Sequence, residues 1–345
     1  MAGKYTVITD KLELELRKMR ADGRKKLPSE HELAESFSCS RQTIRAALDV
    51  LAKKGLIVKR TGSGSYLAEE TFANREVFFM TEDCDRYQSL FLINGLKEEL
   101  KNSKYKLKTF STSGNSADEK KVLISVKAEH PAALIIEPSH DLIPDTNERL
   151  IEEIRDIGIP VIYCNSALGP VNVTPDNRMG GKILTKKLME NGRKKITCIF
   201  RLDDSAGINR YHGFLDAIYE SEPDVPFDDS KFILITHKDE REILSGNGKI
   251  LSLFVGDLGD CDAVVCQDGM IAHCLVRYLQ RHGVSVPGSI DVACFDNGYC
   301  SSETGIDMIS AGFDEDVFCK RLAKTVISAV EGRSGRSSVI PMKIN

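Results

Sequence analysis

The sequence predicts a multidomain chain: a small helical head with a β-hairpin wing, followed by a two-lobed α/β body built on parallel sheets. Three observations lead there. The first seventy residues carry helical periodicity and then a glycine-tipped hairpin pattern, short β-rich apolar runs alternate with helical stretches from Glu76 onward, and the charge changes sign between the two parts. At 345 residues the chain also exceeds what one ordinary core organises.

In "TVITDKLELELRKMRADG", Ile8, Leu12, Leu16 and Met19 recur at helical spacing, and Gly23 is a stop. "LPSEHELAESF" places Ser29 as an N-cap with Glu32 three residues on, a capping box, and makes Leu33, Ala34 and Phe37 the buried stripe of a short second helix. After the tight "SCS" connection, Ser40 caps a third helix. Its apolar arc is Ile44, Ala47, Leu48 and Leu51, which leaves Arg41, Gln42, Arg45 and Asp49 together on another side.

Two short helices joined by about three residues, the second presenting Arg, Gln and Thr from its first turns, form the layout that sets a recognition helix in the DNA major groove. Arginine matches the O6 and N7 of guanine, glutamine matches adenine, and threonine holds a phosphate or touches a thymine methyl. Taken alone, the cluster is equally well a solvated helix face. The segment that follows decides between them: "GLIVKRTGSGSYL" reads as a strand from Leu56 to Arg60, a tip at Thr61 to Gly64 and a returning strand through Leu67. Gly62 and Gly64 allow close backbone approach, and Lys59 and Arg60 add charge where phosphates would lie. The tip is no phosphate loop, since no GK[ST] follows, and no dinucleotide turn, since no helical pattern opens after it.

The stretch "LPSEHELAESFSCSRQTIRAALDVLAKKGLIVKRTGSGSYL", with its PSExxLA, SRxTxRxAL and GxGSY elements in order, closely resembles the winged helix-turn-helix of the GntR family of bacterial transcription regulators. The resemblance implies DNA-facing positions at His31, Ser40, Arg41, Gln42, Thr43, Arg45, Thr61 and Gly62, and the wing geometry extends them to Ser63 and Gly64. His31 stands where arginine is usual in that family. Double-stranded operator DNA is the implied partner.

The charge balance fits a polyanion partner for one part only. Residues 1–68 hold 14 Lys and Arg against 8 Asp and Glu, whereas the remainder holds 33 against 43, and the whole chain is at -4. The ten cysteines show no CxxC pair and no zinc spacing with histidine, and several sit inside apolar runs such as "VIYCN", so they read as reduced, buried thiols. "MAGKYTVITD" has no apolar export signal, and no run approaches 18 uninterrupted apolar residues, so a cytoplasmic location without membrane contact is expected. No cofactor is implied.

In the body, "EVFFM", "YKLKTF", "AALIIE", "PVIYCN", "KITCIF", "KFILIT", "DAVVCQ" and "DVACFD" are each separated by room for one helix, the signature of βαβ units in two groups of four strands. Ligands of such sheets bind beyond the carboxyl ends of the strands and between lobes. The residues ending these runs are therefore candidates: Thr81, Glu82, Glu137, Asn165, Gln267, Asp268, Asp296 and Asn297. A strand-end Asp or Asn is often only a helix N-cap. As a set, though, carboxylates and amides supply the planar donors and acceptors that a polyhydroxylated ligand needs.

"VTPDNRMGGKILTKKLMENGRKKITCIF", "INRYHGFLDA" and "DAVVCQDGMIAHCLVRYLQRHGVSVPGSIDVACFDN" resemble the LacI/GalR-type effector domain, which is periplasmic-binding-protein-like. The resemblance implies that Arg210 clamps sugar hydroxyls, that Asp296 is its acidic partner and that Asn165 ends the fourth strand as a sugar contact. Gln267 stands where asparagine is usual. The pairing of the two domains, with "IIEPS" and "FRLDDSAGINRYHGF", resembles the arabinose-responsive repressors of the AraR type, which adds Glu137 and Tyr87 to the implied effector contacts. It implies a homodimer built through the effector domains, a palindromic operator, and a small sugar effector, L-arabinose or a related monosaccharide. The implied division is a head over 1–69, a linker over 70–75 and an effector domain over 76–345. Its first lobe takes about 76–173 and 312–337, and its second about 174–311 and 338–345.

An enzyme would need a nucleophile with its base, a metal cluster or paired catalytic carboxylates, and none of these signatures is present. Asp203 with Asp204 and the acids of "MTEDCD" are expected to be solvated turn residues. A transport component is not expected, since the sequence shows no export signal and resembles a DNA-binding head.

Overall fold

The computed structural model describes residues 4–21, 24–53, 56–68, 75–138, 142, 147–221, 232–246, 249–257, 259–295, 305, 308–333 and 335–345. The head consists of α1 (Lys4–Ala21), α2 (Glu30–Ser36), α3 (Arg41–Lys53) and the antiparallel pair β1 (Ile57–Arg60) and β2 (Gly64–Leu67). Leu12, Leu16, Met19, Leu33, Ile44, Ala47, Leu48, Leu51 and Ile57 share one core. That core is the apolar arc read from each helix. The capping box forms as read: the Ser29 amide donates to Glu32 Oε2 at 2.7 Å, and the Glu32 amide donates to Ser29 Oγ at 3.3 Å.

The body begins with β3 (Glu76–Thr81), α4 (Tyr87–Asn102), β4 (Lys106–Ser111), α5 (Ser116–Glu129), β5 (Ala133–Ile136), α6 (Glu148–Asp156), β6 (Val161–Cys164) and β7 (Asn172–Pro175). The chain then builds a second unit from α7 (Asn177–Glu190), β8 (Ile196–Arg201), α8 (Ser205–Glu220), β9 (Ile233–Ile235), α9 (His237–Leu244), α10 (Lys249–Asp257), β10 (Ala263–Cys266), α11 (Gly269–Arg281), β11 (Asp291–Phe295) and β12 (Ile309–Phe313). It returns through α12 (Glu315–Val330), β13 (Ser338–Ile340) and β14 (Met342–Ile344).

Each lobe is a six-stranded sheet, ordered β13-β7-β6-β5-β3-β4 in the first and β14-β12-β11-β10-β8-β9 in the second. All pairings in these two sheets are parallel except β12 with β14. Central strands such as β5, β6 and β10 are buried on both faces, which is why they read as unbroken apolar runs rather than alternating ones. In the first lobe α4 and α12 cover one face and α5 and α6 the other; in the second α7 and α8 lie opposite α9, α10 and α11.

Two features of the sheets differ from expectation. Each has six strands rather than four, because β7 and β13 extend the first sheet and β12 and β14 the second. These four strands are short, three to five residues, and β7, β12 and β13 carry polar residues among their apolar ones, which hides them from a search for apolar runs. The lobe limits also shift: residues 174–175 and 338–340 lie in the first sheet and 312–313 in the second. Hydrogen-bond register holds each strand in its sheet to its last residue, so among the described residues the chain crosses between lobes at Asp176, Asp314 and Pro341.

Among the described residues no helix is long and apolar enough to cross a membrane, and no group of three or more His, Cys, Asp or Glu could hold a metal ion. The nine described cysteines are free thiols. Burial holds Cys164 and Cys198 well above the ordinary thiol range and pushes Cys319 up to about 12, so these behave as small apolar side chains.

Candidate functional site

In the head, α3 turns Ile44, Ala47, Leu48 and Leu51 inward, and Arg41, Gln42, Arg45 and Asp49 are exposed. The N-terminus of α3 is set by Ser40, whose Oγ accepts the Thr43 amide at 3.1 Å and lies 2.8 Å from Thr43 Oγ1. Ser38 makes the tight turn with a φ of 47°. The wing tip also needs positive φ, 76° at Gly62 and 105° at Gly64, and nothing lies within 4 Å of where a Gly62 Cβ would stand. Ser63 Oγ meets Tyr66 Oη at 2.6 Å, and the Arg60 guanidinium lies 4.7 Å from the Tyr66 ring centre.

Two of the expected DNA-facing cations have protein partners. Arg45 donates from Nη2 to Glu30 Oε2 at 2.8 Å and from Nε to both Glu30 oxygens. Lys59 is 2.8 Å from Asp49 Oδ1, which neutralises part of the charge expected beside the wing. These bonds hold the Glu30 and Asp49 carboxyls below the ordinary carboxylate range. His31 is exposed, 3.5 Å from Glu35.

Between the lobes lies a cavity of about 200 Å³. That is below the ~300–1,000 Å³ of drug-sized sites and suits a compact ligand. The strand-end rule brings Thr81, Glu82, Glu137, Asn165, Gln267 and Asp268 to its wall, together with Arg210 from α8. Asp296 and Asn297 lie outside the described residues, and so does the side chain of Tyr87, the first residue of α4.

Three of the first-lobe residues form one unit. Thr81 Oγ1 donates to Glu137 Oε2, and Asn165 Nδ2 donates to Glu137 Oε1 at 2.7 Å. Asn165 adopts a φ of 55°, a left-handed conformation that asparagine tolerates, and this turns its amide toward the carboxylate. Each Glu137 oxygen keeps a second lone pair for a ligand hydroxyl, in a plane the protein has already fixed.

On the second lobe, Arg210 Nε donates to Asn177 Oδ1 at 2.9 Å and Nη1 to the Gln267 carbonyl at 2.6 Å, with the guanidinium 4.3 Å from the Phe295 ring centre. The planar fork is held on its face and edge. Its position depends on α7 and α8 touching backbone to backbone: a Cβ on Gly181 would stand 2.1 Å from the Arg210 carbonyl oxygen, and one on Gly213 1.8 Å from that of Arg178.

Asp268 is both an N-cap and a wall residue. Its Oδ1 accepts the Ile271 amide at 2.9 Å, and its Oδ2 lies 3.0 Å from Arg86 Nη2. Arg86 also reaches Glu240 Oε1 at 3.0 Å. Burial works against the Arg86 charge, but Asp268 and Glu240 outweigh it and raise its pKa. Burial and then Asp268 raise that of Glu240. Arg201 Nη1 meets Glu240 Oε2 at 2.5 Å, and Arg201 also pairs with Asp204 and Asp203. Asp203 and Asp204 are thus not solvated turn acids. Asp204 caps α8 through the Gly207 amide, and Asp203 accepts the His237 amide at 2.7 Å. Glu82 lies 3.3 Å from His237 Nε2.

Sequence reasoning missed Arg86, Asn177, Arg201, His237 and Glu240. The strand-end rule applied one residue further would have found Arg201, the last residue of β8. Asn177 follows the N-cap Asp176 directly. Glu240 is buried on a short helix otherwise rich in charge, and no local pattern distinguishes it from its neighbours.

Comparison with known proteins agrees with both halves of the chain. Residues 4–67 match the model "Bacterial regulatory proteins, gntR family", and residues 77–343 match "Periplasmic binding proteins and sugar binding domain of LacI family". A curated relative, the arabinose metabolism transcriptional repressor of Geobacillus stearothermophilus, is 26% identical over 332 residues, covering 90% of this chain and 86% of its own. The protein of the same description from Halalkalibacterium halodurans is 25% identical over 317 residues, covering 89% and 84%. The fold is similar to that of a solved transcriptional regulator CelR–cellobiose complex, with a TM-score of 0.68 at 16% identity over 92% of this chain and 98% of that one. The chain belongs to the family of periplasmic binding proteins and LacI-type sugar-binding domains, carried here behind a helix-turn-helix head of the GntR family of bacterial regulatory proteins.

Proposed function

We propose that this protein is a sugar-responsive transcriptional repressor, which binds a palindromic operator as a homodimer and is released when a monosaccharide, L-arabinose, occupies the cleft. The observation that carries the reading is the Glu137 and Arg210 pair of fixed planar groups on opposite lobes, joined in one chain to an exposed Arg41, Gln42 and Arg45 cluster with the half-buried Thr43 beside it. A neutral, hydroxyl-rich ligand suits this cavity, because Arg86 and Arg201 already face carboxylates. A phosphorylated ligand would have to displace them. The names of the two curated relatives support arabinose as the sugar.

The DNA contacts follow from the head. Arg41, Gln42 and Arg45 read base edges, and Ser40, Thr43, His31 and the wing tip from Thr61 to Gly64 meet the phosphate backbone. Two heads on one dimer would read half-sites one helical turn, or a multiple of it, apart. A nearly complete switch needs the sugar to favour the released state by about 5.5 kcal/mol.

The test is a panel of pentoses and hexoses scored by melting temperature and by release of a fluorescent operator duplex. L-arabinose raises the melting temperature, since a ligand of the folded state alone stabilises it, and lowers operator affinity. Arg210→Ala abolishes the rise and keeps DNA binding. Tighter operator binding with sugar would reverse the sign of control, and a rise retained in Arg210→Ala would refute the assigned pocket.

A further inference from the structure

We propose that Arg86 is a positioning residue that ties the two lobes together at the edge of the cleft opposite the hinge, so that closure over the ligand depends on this cross-cleft ion pair. The inference rests on reading the cleft as the sugar site, and it adds a device that the sugar contacts themselves do not supply.

The sheet orders fix where hinge and tie lie. The three crossings at Asp176, Asp314 and Pro341 leave from β7, β12 and β13, all at the β13/β7 end of the first sheet and the β14/β12 end of the second. Arg86 and Glu82 sit in the connection after β3, at the other end of the first sheet. Glu240 and His237 sit on α9, directly after β9, the opposite edge strand of the second. Rotation about the hinge edge therefore displaces the Arg86 contacts furthest.

The second lobe presents its partners ready-made. Glu240, with its side chain 3% exposed, is backed by Arg201 at 2.5 Å, and Asp268 is anchored by the Ile271 amide at 2.9 Å. Among the described residues it is Arg86 that reaches both from across the cleft, at 3.0 Å to each. Beside it, Glu82 meets His237 at 3.3 Å. A Cβ on Gly114 would stand 2.9 Å from the same imidazole, so the turn after β4 also packs on α9. Removing Arg86 leaves two carboxylates facing each other in the closed form, which favours the open form where water reaches them. Apparent affinity then falls with the fraction of closed molecules.

The experiment is hydrogen exchange with mass spectrometry on the sugar-free full chain, comparing wild type with Arg86→Met, with Arg86→Lys as the charge-keeping control and Glu240→Gln as a second break of the same pair. Exchange is expected to rise in residues 82–86 and 236–240 in Arg86→Met and Glu240→Gln, less in Arg86→Lys, with strands 77–80 and 263–266 unchanged. Titration with L-arabinose should show affinity roughly tenfold weaker in Arg86→Met. Wild-type exchange in both segments, or an increase spread equally through the core strands, would overturn the proposal. Should wild type bind no L-arabinose, the sugar assignment fails while the exchange result still decides the tie.

Discussion

Arg45 on α3 is held by Glu30 on α2 through Nη2 at 2.8 Å and Nε at 3.2 Å, so the neighbouring helix sets the orientation of this guanidinium, which we propose meets DNA. A side chain oriented in this way loses less rotamer freedom when it meets a base. Arg45→Ala should weaken operator binding about tenfold or more and relax discrimination at one base position of each half-site. Anisotropy titrations on single-base operator variants check both. Loss of affinity that is uniform across the variants would make Arg45 a phosphate contact instead.

Glu137 depends on Thr81 and Asn165 for its orientation. Glu137→Gln keeps the size and can keep both supports, its oxygen accepting from Asn165 Nδ2 and its NH2 donating to a reoriented Thr81 hydroxyl, but it removes the charge and one of the two acceptor oxygens offered to a ligand hydroxyl. L-arabinose affinity by calorimetry should fall roughly ten- to a hundredfold, with operator affinity unchanged.

The α7–α8 contact tolerates no Cβ. Gly181→Ala and Gly213→Ala each drive a methyl against a backbone carbonyl, and helices rather than flexible side chains must move. Each should cost about 1–3 kcal/mol in denaturant unfolding. Gly181→Ala should also weaken sugar binding, because the carbonyl it meets belongs to Arg210.

His237, packed against Glu82 and Asp203, is expected to make folding stability depend on pH. Burial lowers its pKa in the folded protein, against the opposing pull of Glu82. The unfolded chain therefore takes up this proton first as pH falls below about 6.5, and the stability His237 contributes above that pH is lost on acidification. Melting temperatures between pH 7.5 and 5.5 should fall less steeply in His237→Gln than in wild type. Parallel curves would show that His237 does not titrate differently on folding.

The sequence alone determined the parts that rest on local rules. The capping box at Ser29, the inward arc of α3, the glycine-tipped wing and the eight strands read from the sequence were all legible, because helical spacing, φ requirements and, in central strands such as β5, β6 and β10, burial on both sheet faces act on neighbours in the chain. The strand-end rule likewise named Thr81, Glu82, Glu137, Asn165, Gln267 and Asp268 at the cavity wall, since a parallel sheet presents all its carboxyl ends together.

Only the tertiary structure decided which of these residues hold one another and where the lobes meet. Arg86 finds Asp268 across 182 positions and Glu240 across 154, and nothing in the segments around them encodes a partner that distant. Asp203 looks like a solvated acid until α9 brings the His237 amide to it from 34 positions away, and Arg201, its near neighbour in the chain, is committed to this cluster through Glu240 of the same helix. The short strands β7, β12, β13 and β14 exist because a neighbouring strand completes their hydrogen bonds, not because their own residues demand it. Burial of charge is a property of the assembled lobes: the same glutamate is a surface residue in one packing and, as Glu240, one side of a cross-cleft tie in this one.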